Sequence, residues 1–189
     1  MGKVVIVLGS PRKESNTHIL VKEAQKGFDY SNIQSEVFFI NDMNVRGCQA
    51  CYFCKKNNVP KCKIKDDMQK IYKAVEESNG ILIASPIYFG GVTSQTKILL
   101  DRFFPYIDMN VSAKINKGKK ASFIFTQNQP YPELFISNIN SFKDMFAYMG
   151  FEIKDSLIAY NLDKGYKPLV TENLEFMKKA YALGRKMFE

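Results

Sequence analysis

Apolar and polar positions along the chain follow two alternating periods. A continuous apolar run rich in β-branched residues predicts a buried strand at residues 3–8, and a second apolar run predicts another buried strand at residues 80–85. Further short apolar runs predict strands at residues 35–40, 119–126 and 151–160. Between these runs, apolar residues recur every three or four positions and predict helices, at residues 17–28, 66–78, 93–104, 135–149 and 171–188. We expect Asp66 or Asp67 to cap the second helix, Gly150 to end the fourth and Thr171 to cap the fifth.

This alternation of strand and helix predicts an α/β fold, a doubly wound parallel sheet with helices on both faces. Five strands fit the flavodoxin-like order 2-1-3-4-5. No repeat or low-complexity tract divides the sequence, so we expect a single domain over residues 1–189, with a cysteine-rich loop at 46–65. Ligands of such sheets bind beyond the carboxyl ends of the strands, so the loops after strands 1, 3 and 4 are the candidate sites.

Composition excludes several other classes of protein. The apolar run near the start is too short for a signal peptide, and no stretch has the length of a membrane span. We therefore expect a soluble, cytoplasmic protein with no membrane partner. The formal charge is +8, but the lysines are dispersed and form no long basic arm. A solvated lysine-rich surface is the favoured interpretation, and we expect no nucleic-acid partner.

The loop after strand 1 reads GSPRKESNT, residues 9–17, and a helix follows immediately. Gly9 allows a tight turn out of the strand. The loop supplies groups that suit phosphate oxygens: the side chains of Ser10, Arg12, Ser15, Asn16 and Thr17. The helix start adds backbone N–H groups, so the loop predicts a phosphate monoester site. Neither the G-x-G-x-x-G nor the Walker A pattern is present. An ordinary strand-to-helix turn with a polar cap remains the alternative, and we expect His18 to be a first-turn helix residue.

The loop after strand 3 reads SPIYFGGVTS, residues 85–94. Pro86 stiffens the exit from the strand, and the two glycines at 90 and 91 let the backbone approach a flat ligand. Tyr88 and Phe89 add aromatic surface. Such a loop suits an isoalloxazine ring, which is planar with one polar edge. Alternatively, the two aromatic side chains pack against the domain or against another subunit.

All the cysteines of the chain, Cys48, Cys51, Cys54 and Cys62, lie in one loop with the spacing C-x2-C-x2-C-x7-C. This spacing favours a [4Fe–4S] cluster, with zinc as second choice and disulfides third because the compartment is reducing. Simple packing of the thiols also remains possible. The loop contains six cations and no acidic residue, which suits a negatively charged cluster: Arg46, Lys55, Lys56, Lys61, Lys63 and Lys65.

Three segments together resemble the NADPH-dependent FMN reductase family, and within it the iron–sulfur flavoproteins of anaerobic microbes. They are GSPRKESNT, SPIY before the LLDRF helix, and the cysteine string that ends in KIKDDM. The resemblance covers residues 3 to about 104. It implies a flavodoxin-like fold, FMN bound non-covalently, and a homodimer or homotetramer.

Individual roles also follow from the resemblance. Ser10, Arg12, Ser15, Asn16 and Thr17 would hold the FMN phosphate. The residues along the flavin ring would be Pro86, Ile87, Tyr88, Phe89 and Gly90, with Thr126 and Gln127 as further contacts. The family often has a glycine-rich turn after strand 4, whereas this chain has TQNQPYPE at residues 126–133.

The expected function is that of a redox flavoprotein. NAD(P)H or a ferredoxin-like protein would donate electrons, and a quinone, another flavin, oxygen or the iron–sulfur cluster would accept them. We assign no catalytic acid or base, because hydride transfer to a flavin needs none. Two alternatives stay open: an electron carrier between partner proteins, and a zinc-stabilised binding module without flavin.

Overall fold

Strands and helices alternate along residues 2–162 and 168–189, which the structure, a computed structural model, describes. The strands are β1 (Lys3–Leu8), β2 (Gln34–Phe39), β3 (Gly80–Tyr88), β4 (Gly91–Val92), β5 (Lys120–Thr126) and β6 (Glu152–Ala159). The α-helices are α1 (Asn16–Tyr30), α2 (Phe53–Lys56), α3 (Met68–Glu77), α4 (Ser94–Arg102), α5 (Ile136–Met149) and α6 (Leu174–Lys186). In this part of the chain, none of the helices has the length and apolar character that crossing a bilayer requires.

The sheet confirms the predicted fold class. Its parallel strands lie in the order β2-β1-β3-β5-β6, which is the flavodoxin-like order when the main strands are counted along the chain. The difference from prediction is the short β4, which pairs antiparallel with the end of β3. This hairpin extends β3 to Tyr88, three residues beyond the predicted end at 85.

Helices cover both faces of the sheet. One apolar cluster packs α3, α4 and α5 against the sheet, and a second cluster packs α1 and α6 against the other face. The helices α1 and α6 approach closely because Gly27 and Gly184 lie between them. A Cβ atom on Gly184 would stand 2.0 Å from the carbonyl oxygen of Ala24, so this contact needs glycine.

Two of the three predicted helix-end residues have the expected role. Gly150 ends α5 with a left-handed backbone (φ 105°), and a carboxylate oxygen of Asp66 accepts the amide of Met68 at the start of α3. The prediction for Thr171 is wrong. Residues Val170–Glu172 form a 3-10 turn, and the side chain of Asn173 caps α6 by accepting two amides of its first turn.

Candidate functional site

A cavity of about 340 Å³ opens at the carboxyl ends of β1, β3 and β5. We call it the strand-end cavity. Every residue predicted to contact FMN lines it: Ser10, Arg12, Ser15, Asn16, Thr17, Pro86, Ile87, Tyr88, Phe89, Gly90, Thr126 and Gln127. Sequence positions more than a hundred residues apart therefore meet at the point where the strand order reverses, which is where doubly wound sheets bind ligands.

The loop after β1 has the local structure of an anion site. Ser15 is the N-cap of α1, and its hydroxyl oxygen accepts the amide of His18 at 3.2 Å. The hydroxyl of Ser10 accepts the amide of Arg12 at 3.2 Å, which fixes the turn. The first amides of α1 have no acceptor within the helix and carry the positive end of its dipole. His18 lies in the first turn of α1, as predicted, and its ring contacts the carbonyl of Lys13.

Two further side chains of this loop form hydrogen bonds with distant segments of the chain. The side-chain oxygen of Asn16 accepts the amides of Leu169 and Val170 at 2.8 and 2.9 Å, so Asn16 joins the loop to the segment before α6. Thr17 and Thr126 share a hydrogen bond of 2.7 Å between their hydroxyls, and both residues are buried. These contacts hold three separate segments in fixed positions around the cavity.

Gly9 is needed for close packing. A Cβ atom on Gly9 would stand 1.8 Å from the hydroxyl oxygen of Thr96 in α4. The hydroxyl of the neighbouring Thr93, which caps α4, donates to the carbonyl of Gly9 at 2.7 Å, and the amide of Thr93 donates to the hydroxyl oxygen of Ser85 at 3.2 Å. A buried polar network therefore ties the exits of β1 and β3 to the start of α4, which makes the base of the cavity rigid.

The hairpin between β3 and β4 projects aromatic side chains from the rim of the cavity. Its two central residues, Phe89 (φ 49°) and Gly90 (φ 84°), both have left-handed backbones, as a type I′ turn requires. This conformation is unfavourable for a bulky residue such as Phe89. Asn138 stabilises the turn by donating to the carbonyl of Gly90 at 2.7 Å. Phe89 is fully exposed and Tyr88 is 42% exposed, which leaves both available to a planar ligand or another subunit.

The segment after β5 closes the cavity with polar groups. The amide of Gln127 donates to the carbonyl of Ala159 at 2.9 Å, and its side-chain nitrogen donates to the carbonyl of Tyr131 at 2.7 Å. The side-chain oxygen of Gln127 has no hydrogen-bond partner in the described residues, although the residue is only 2% exposed. A buried acceptor without a donor in the wall of a cavity is suited to a ligand that carries an N–H or O–H group.

Sequence reasoning missed four further residues of this wall: Asn128, Gln129, Phe135 and Leu162. Asn128 and Gln129 come just after the carboxyl end of β5, and this position in the chain is enough to identify them as candidates. Phe135 and Leu162 reach the cavity through the packing of α5 and the end of β6, which no local pattern indicates.

The four cysteines line a second, much smaller cavity of about 20 Å³, which we call the cysteine cavity. Cys48 and Cys51 are exposed, Cys54 and Cys62 are partly buried, and none forms a disulfide. In residues 2–162 and 168–189, no group of three or more potential ligands has the spacing of a metal site. The space holds about one water molecule. The fold thus gathers the thiols without bringing them to metal-binding distances.

A buried ion pair anchors this region and was not predicted. The guanidinium of Arg102 donates to both carboxylate oxygens of Asp66, at 2.6 and 3.0 Å, and to the carbonyl of Arg46 at 2.6 Å. The side chains of Arg102 and Asp66 are 0% and 2% exposed. Burial raises the pKa of Asp66, but the hydrogen bonds from Arg102 and from backbone amides outweigh burial and hold the pKa below its usual value. Arg102 also lines the cysteine cavity.

Lys55 differs from the other cations of the cysteine loop, because its side chain does not face solvent. It is buried, and its ammonium group donates to the carbonyls of Phe104, at 2.7 Å, and Ile107, while lying 3.7 Å from the centre of the Phe104 ring. Burial lowers the pKa of Lys55. It therefore anchors the cysteine loop, and the other cations at 46–65 remain exposed. Burial also raises the pKa of the Cys54 thiol.

The fold and the strand-end cavity define a flavodoxin-like α/β protein. The sequence model of the NADPH-dependent FMN reductase family matches residues 2–128. The chain belongs to this family, which confirms the resemblance found in its loops.

Similar proteins agree with this assignment. The chain is 42% identical over 103 residues to an iron–sulfur flavoprotein of Methanocaldococcus jannaschii, covering 54% of this chain and 52% of the relative. It spans about half the length of the curated relatives it matches first. Two solved structures share the fold across nearly the whole chain. They are the NAD(P)H:quinone oxidoreductase from Methanothermobacter marburgensis (TM-score 0.80, 15% identity, 99% of this chain and 96% of that one) and an FMN-dependent NADH-azoreductase from Bacillus anthracis in complex with FMN (TM-score 0.74, 14% identity, 100% of each chain).

Proposed function

We propose that this chain is an FMN-dependent oxidoreductase that takes electrons from NAD(P)H and passes them to a quinone, another flavin or a redox protein. The observation that carries the proposal is the strand-end cavity, where residues of three separate loops meet. Membership of the FMN reductase family supports FMN as its ligand. Bound FMN supplies the hydride and electron chemistry, and the protein supplies binding, orientation and electrostatics.

In this proposal the loop after β1 binds the phosphate. Arg12 contributes a charged, two-pronged donor, and the first amides of α1 contribute N–H groups and the helix dipole. The guanidinium of Arg12 forms no ion pair within the described residues, and Arg12 is exposed at the edge of the cavity. The positive groups are therefore free to meet a phosphate that enters from solvent.

The other two loops bind the ring. The segment from Pro86 to Gly90 lies along one side, and the wall after β5 closes the other side. The buried side-chain oxygen of Gln127 accepts a hydrogen bond from an N–H or O–H group of the ligand, which satisfies an otherwise unpaired acceptor. The side chains assigned here bind and orient the flavin, and none is required to transfer a proton.

We further propose that Cys48, Cys51, Cys54 and Cys62 bind a [4Fe–4S] cluster, which supplies one-electron transfer. The donor set fits, because all four thiols line one cavity in a loop that is rich in exposed cations. The cavity of about 20 Å³ is too small for a cluster, so binding requires the loop to open. Opening is easiest on the side of Cys48 and Cys51, which are exposed.

The proposal also covers the cellular compartment, the oligomeric state and the partner protein. The reduced thiols require a reducing compartment, which favours the cytoplasm. The exposed aromatic side chains of Tyr88 and Phe89 favour contact between subunits in a homodimer or homotetramer, with the chain acting as a single domain. The exposed cations of the cysteine loop favour an acidic partner such as a ferredoxin-like protein, and this contact should weaken with salt.

Quantitation of flavin, iron and zinc in anaerobically purified protein tests the proposal. We expect one FMN per chain, about four irons, flavin absorption bands, and a broad iron–sulfur shoulder that dithionite bleaches. Addition of NADPH or NADH should bleach the flavin bands. Flavin without iron would support the proposed reductase and contradict the proposed cluster. Flavin and iron that neither nucleotide reduces would indicate an electron carrier between proteins. Colourless protein with zinc would contradict both proposals and support a binding module.

A further inference from the structure

A third cavity, which we call the α3 cavity, lies between α3, residues 59–61 of the cysteine loop and the segment that precedes β5. Its volume is about 430 Å³, which falls within the range of small-molecule sites, about 300–1,000 Å³. Among the described residues, none lines both this cavity and either the strand-end cavity or the cysteine cavity. The α3 cavity is therefore separate from the site assigned to FMN.

The floor of the α3 cavity is apolar. It is built by side chains that are at most 9% exposed: Tyr72, Val75, Tyr106 and Ile115. The rings of Tyr72 and Tyr106 meet edge to face, with 5.9 Å between their centres. Because aromatic side chains pack favourably against other rings, this floor suits the ring of a small aromatic molecule.

The lining of the cavity is positively charged. It contains one acidic residue, Glu76, and four lysines: Lys61, Lys73, Lys114 and Lys119. Of these lysines, only Lys73 reaches a carboxylate within the described residues, that of Glu77 at 3.8 Å. Lys114 contacts the neutral side chain of Asn58 at 2.9 Å. Three ammonium groups therefore remain available to an anion that enters the cavity.

Lys119 is the buried cation of this set, and it is 8% exposed. Its ammonium group donates to the carbonyls of Glu76, at 3.0 Å, and Ser78. Both carbonyls lie at the end of α3, where the helix dipole is negative, so Lys119 stabilises this helix end. An ammonium group has three donors, and these contacts use two. Burial lowers the pKa of Lys119, and the charge of Glu76 only partly opposes this effect. An anion in the cavity would stabilise the charged form.

The hydroxyl of Tyr106 is a buried donor without a partner. Tyr106 is 5% exposed, and its hydroxyl has no hydrogen bond in the part of the chain that the structure describes. Burial raises the pKa of Tyr106, and the nearby Tyr72 and Glu76 raise it further, so the hydroxyl stays protonated. Both neighbours line the α3 cavity. Buried polar groups are rarely unpaired, and an unseen ion is one of the usual reasons. Beside three available ammonium groups, the acceptor that fits is an anion.

We propose that the α3 cavity is a second binding site, for a small molecule that joins an aromatic ring to a carboxylate or phosphate group. The ring packs on the apolar floor, the lysines attract the anionic group, and the hydroxyl of Tyr106 donates to it. The inference goes beyond the proposed oxidoreductase activity, and it holds whether or not FMN binds at the strand-end cavity.

Three probes that share one ring system test the site: naphthoate, naphthyl phosphate and the uncharged naphthamide. Each is titrated into isotope-labelled protein as purified, with any bound flavin retained, and backbone amides are followed by NMR. We expect at least one anion to shift the amides of Lys73, Glu76 and Ile115 saturably, with a dissociation constant of about 1 mM or lower. Naphthamide should bind roughly fivefold more weakly or less. Equal binding of naphthamide, or no saturable shift at these amides, would overturn the inference.

The variant Tyr106→Phe removes only the hydroxyl. We expect affinity for the anionic probe to fall about tenfold, because a hydrogen bond to a charged group is lost. The urea midpoint of the free protein should not fall, because the hydroxyl has no partner there. A lower midpoint with unchanged probe affinity would show that the hydroxyl serves the fold, and would overturn its assignment to the ligand.

Charge variants test the role of the lysines with opposite expected signs. Lys61→Gln/Lys114→Gln should weaken anion binding roughly fivefold, whereas Glu76→Gln, which removes the one carboxylate of the described lining, should strengthen it. The control Lys179→Gln removes an exposed lysine from α6, on the opposite face of the sheet, and should change nothing. A loss in the control as large as that in the double variant would mean that only net charge matters, and would overturn the site.

Discussion

Replacing Arg12 by alanine should weaken FMN binding through the phosphate alone. Arg12 lines the strand-end cavity, and it is exposed. A hydrogen bond to a charged group contributes about 1.5–3 kcal/mol. Because solvent already screens this exposed guanidinium, the loss should lie near the lower limit of that range. With 1.4 kcal/mol for each factor of ten, the dissociation constant of FMN should rise roughly tenfold.

Riboflavin provides the matched comparison because it has the same ring and ribityl chain but lacks the phosphate. Titration of flavin-free protein, followed by quenching of flavin fluorescence, should show that Arg12→Ala leaves riboflavin affinity unchanged. The control variant is Lys13→Ala: Lys13 is 71% exposed, pairs with Asp42 at 2.9 Å and does not line the cavity. Its loss should change neither affinity. An equal loss of FMN and riboflavin affinity in Arg12→Ala would refute the phosphate assignment.

Three further predictions concern the fold around the site. Gly9→Ala should cost about 1–3 kcal/mol of unfolding free energy in urea, because its Cβ would overlap Thr96, and Thr96→Ala should restore part of the loss. Asn173→Ala should cost about 1 kcal/mol by removing the cap of α6; an unchanged urea midpoint would contradict the cap. The pKa of Asp66 is lowered by folding, so its ion pair contributes fully above about pH 4 and is lost as pH falls further. Asp66→Asn should therefore flatten the decline in stability as the pH falls below about 4, and an unchanged slope would contradict the assignment.

The centre of the sheet could be predicted because β1, β3 and β5 are covered on both faces and are therefore strongly apolar, with amphipathic helices between them. The edge strands β2 and β6 are partly exposed and carry polar residues, so they are less distinct in the sequence. Helix ends were less predictable, since several polar residues compete for each one. Thr171 and Asn173 are both suitable caps, and the 3-10 turn at Val170–Glu172, which hydrogen bonds to Asn16 help to fix, decides between them.

The strand-end cavity could be predicted because most of the residues that line it lie in loops that directly follow strands. Arg102 could not be predicted, since an arginine at the end of an amphipathic helix normally faces solvent. Its burial depends on Asp66, thirty-six residues away, and no local pattern encodes that pairing. The burial of Lys55 could not be predicted for the same reason, since its acceptors are carbonyls some fifty residues further along the chain.

A crystal structure of the protein grown with excess FMN tests the central claim most directly. We expect the phosphate to lie at the N-terminus of α1, within hydrogen-bonding distance of Arg12 and Ser15, and the ring to lie against residues 86–90. Density for the ring at the start of α1, or a strand-end cavity that remains free of flavin while FMN binds elsewhere, would contradict the account.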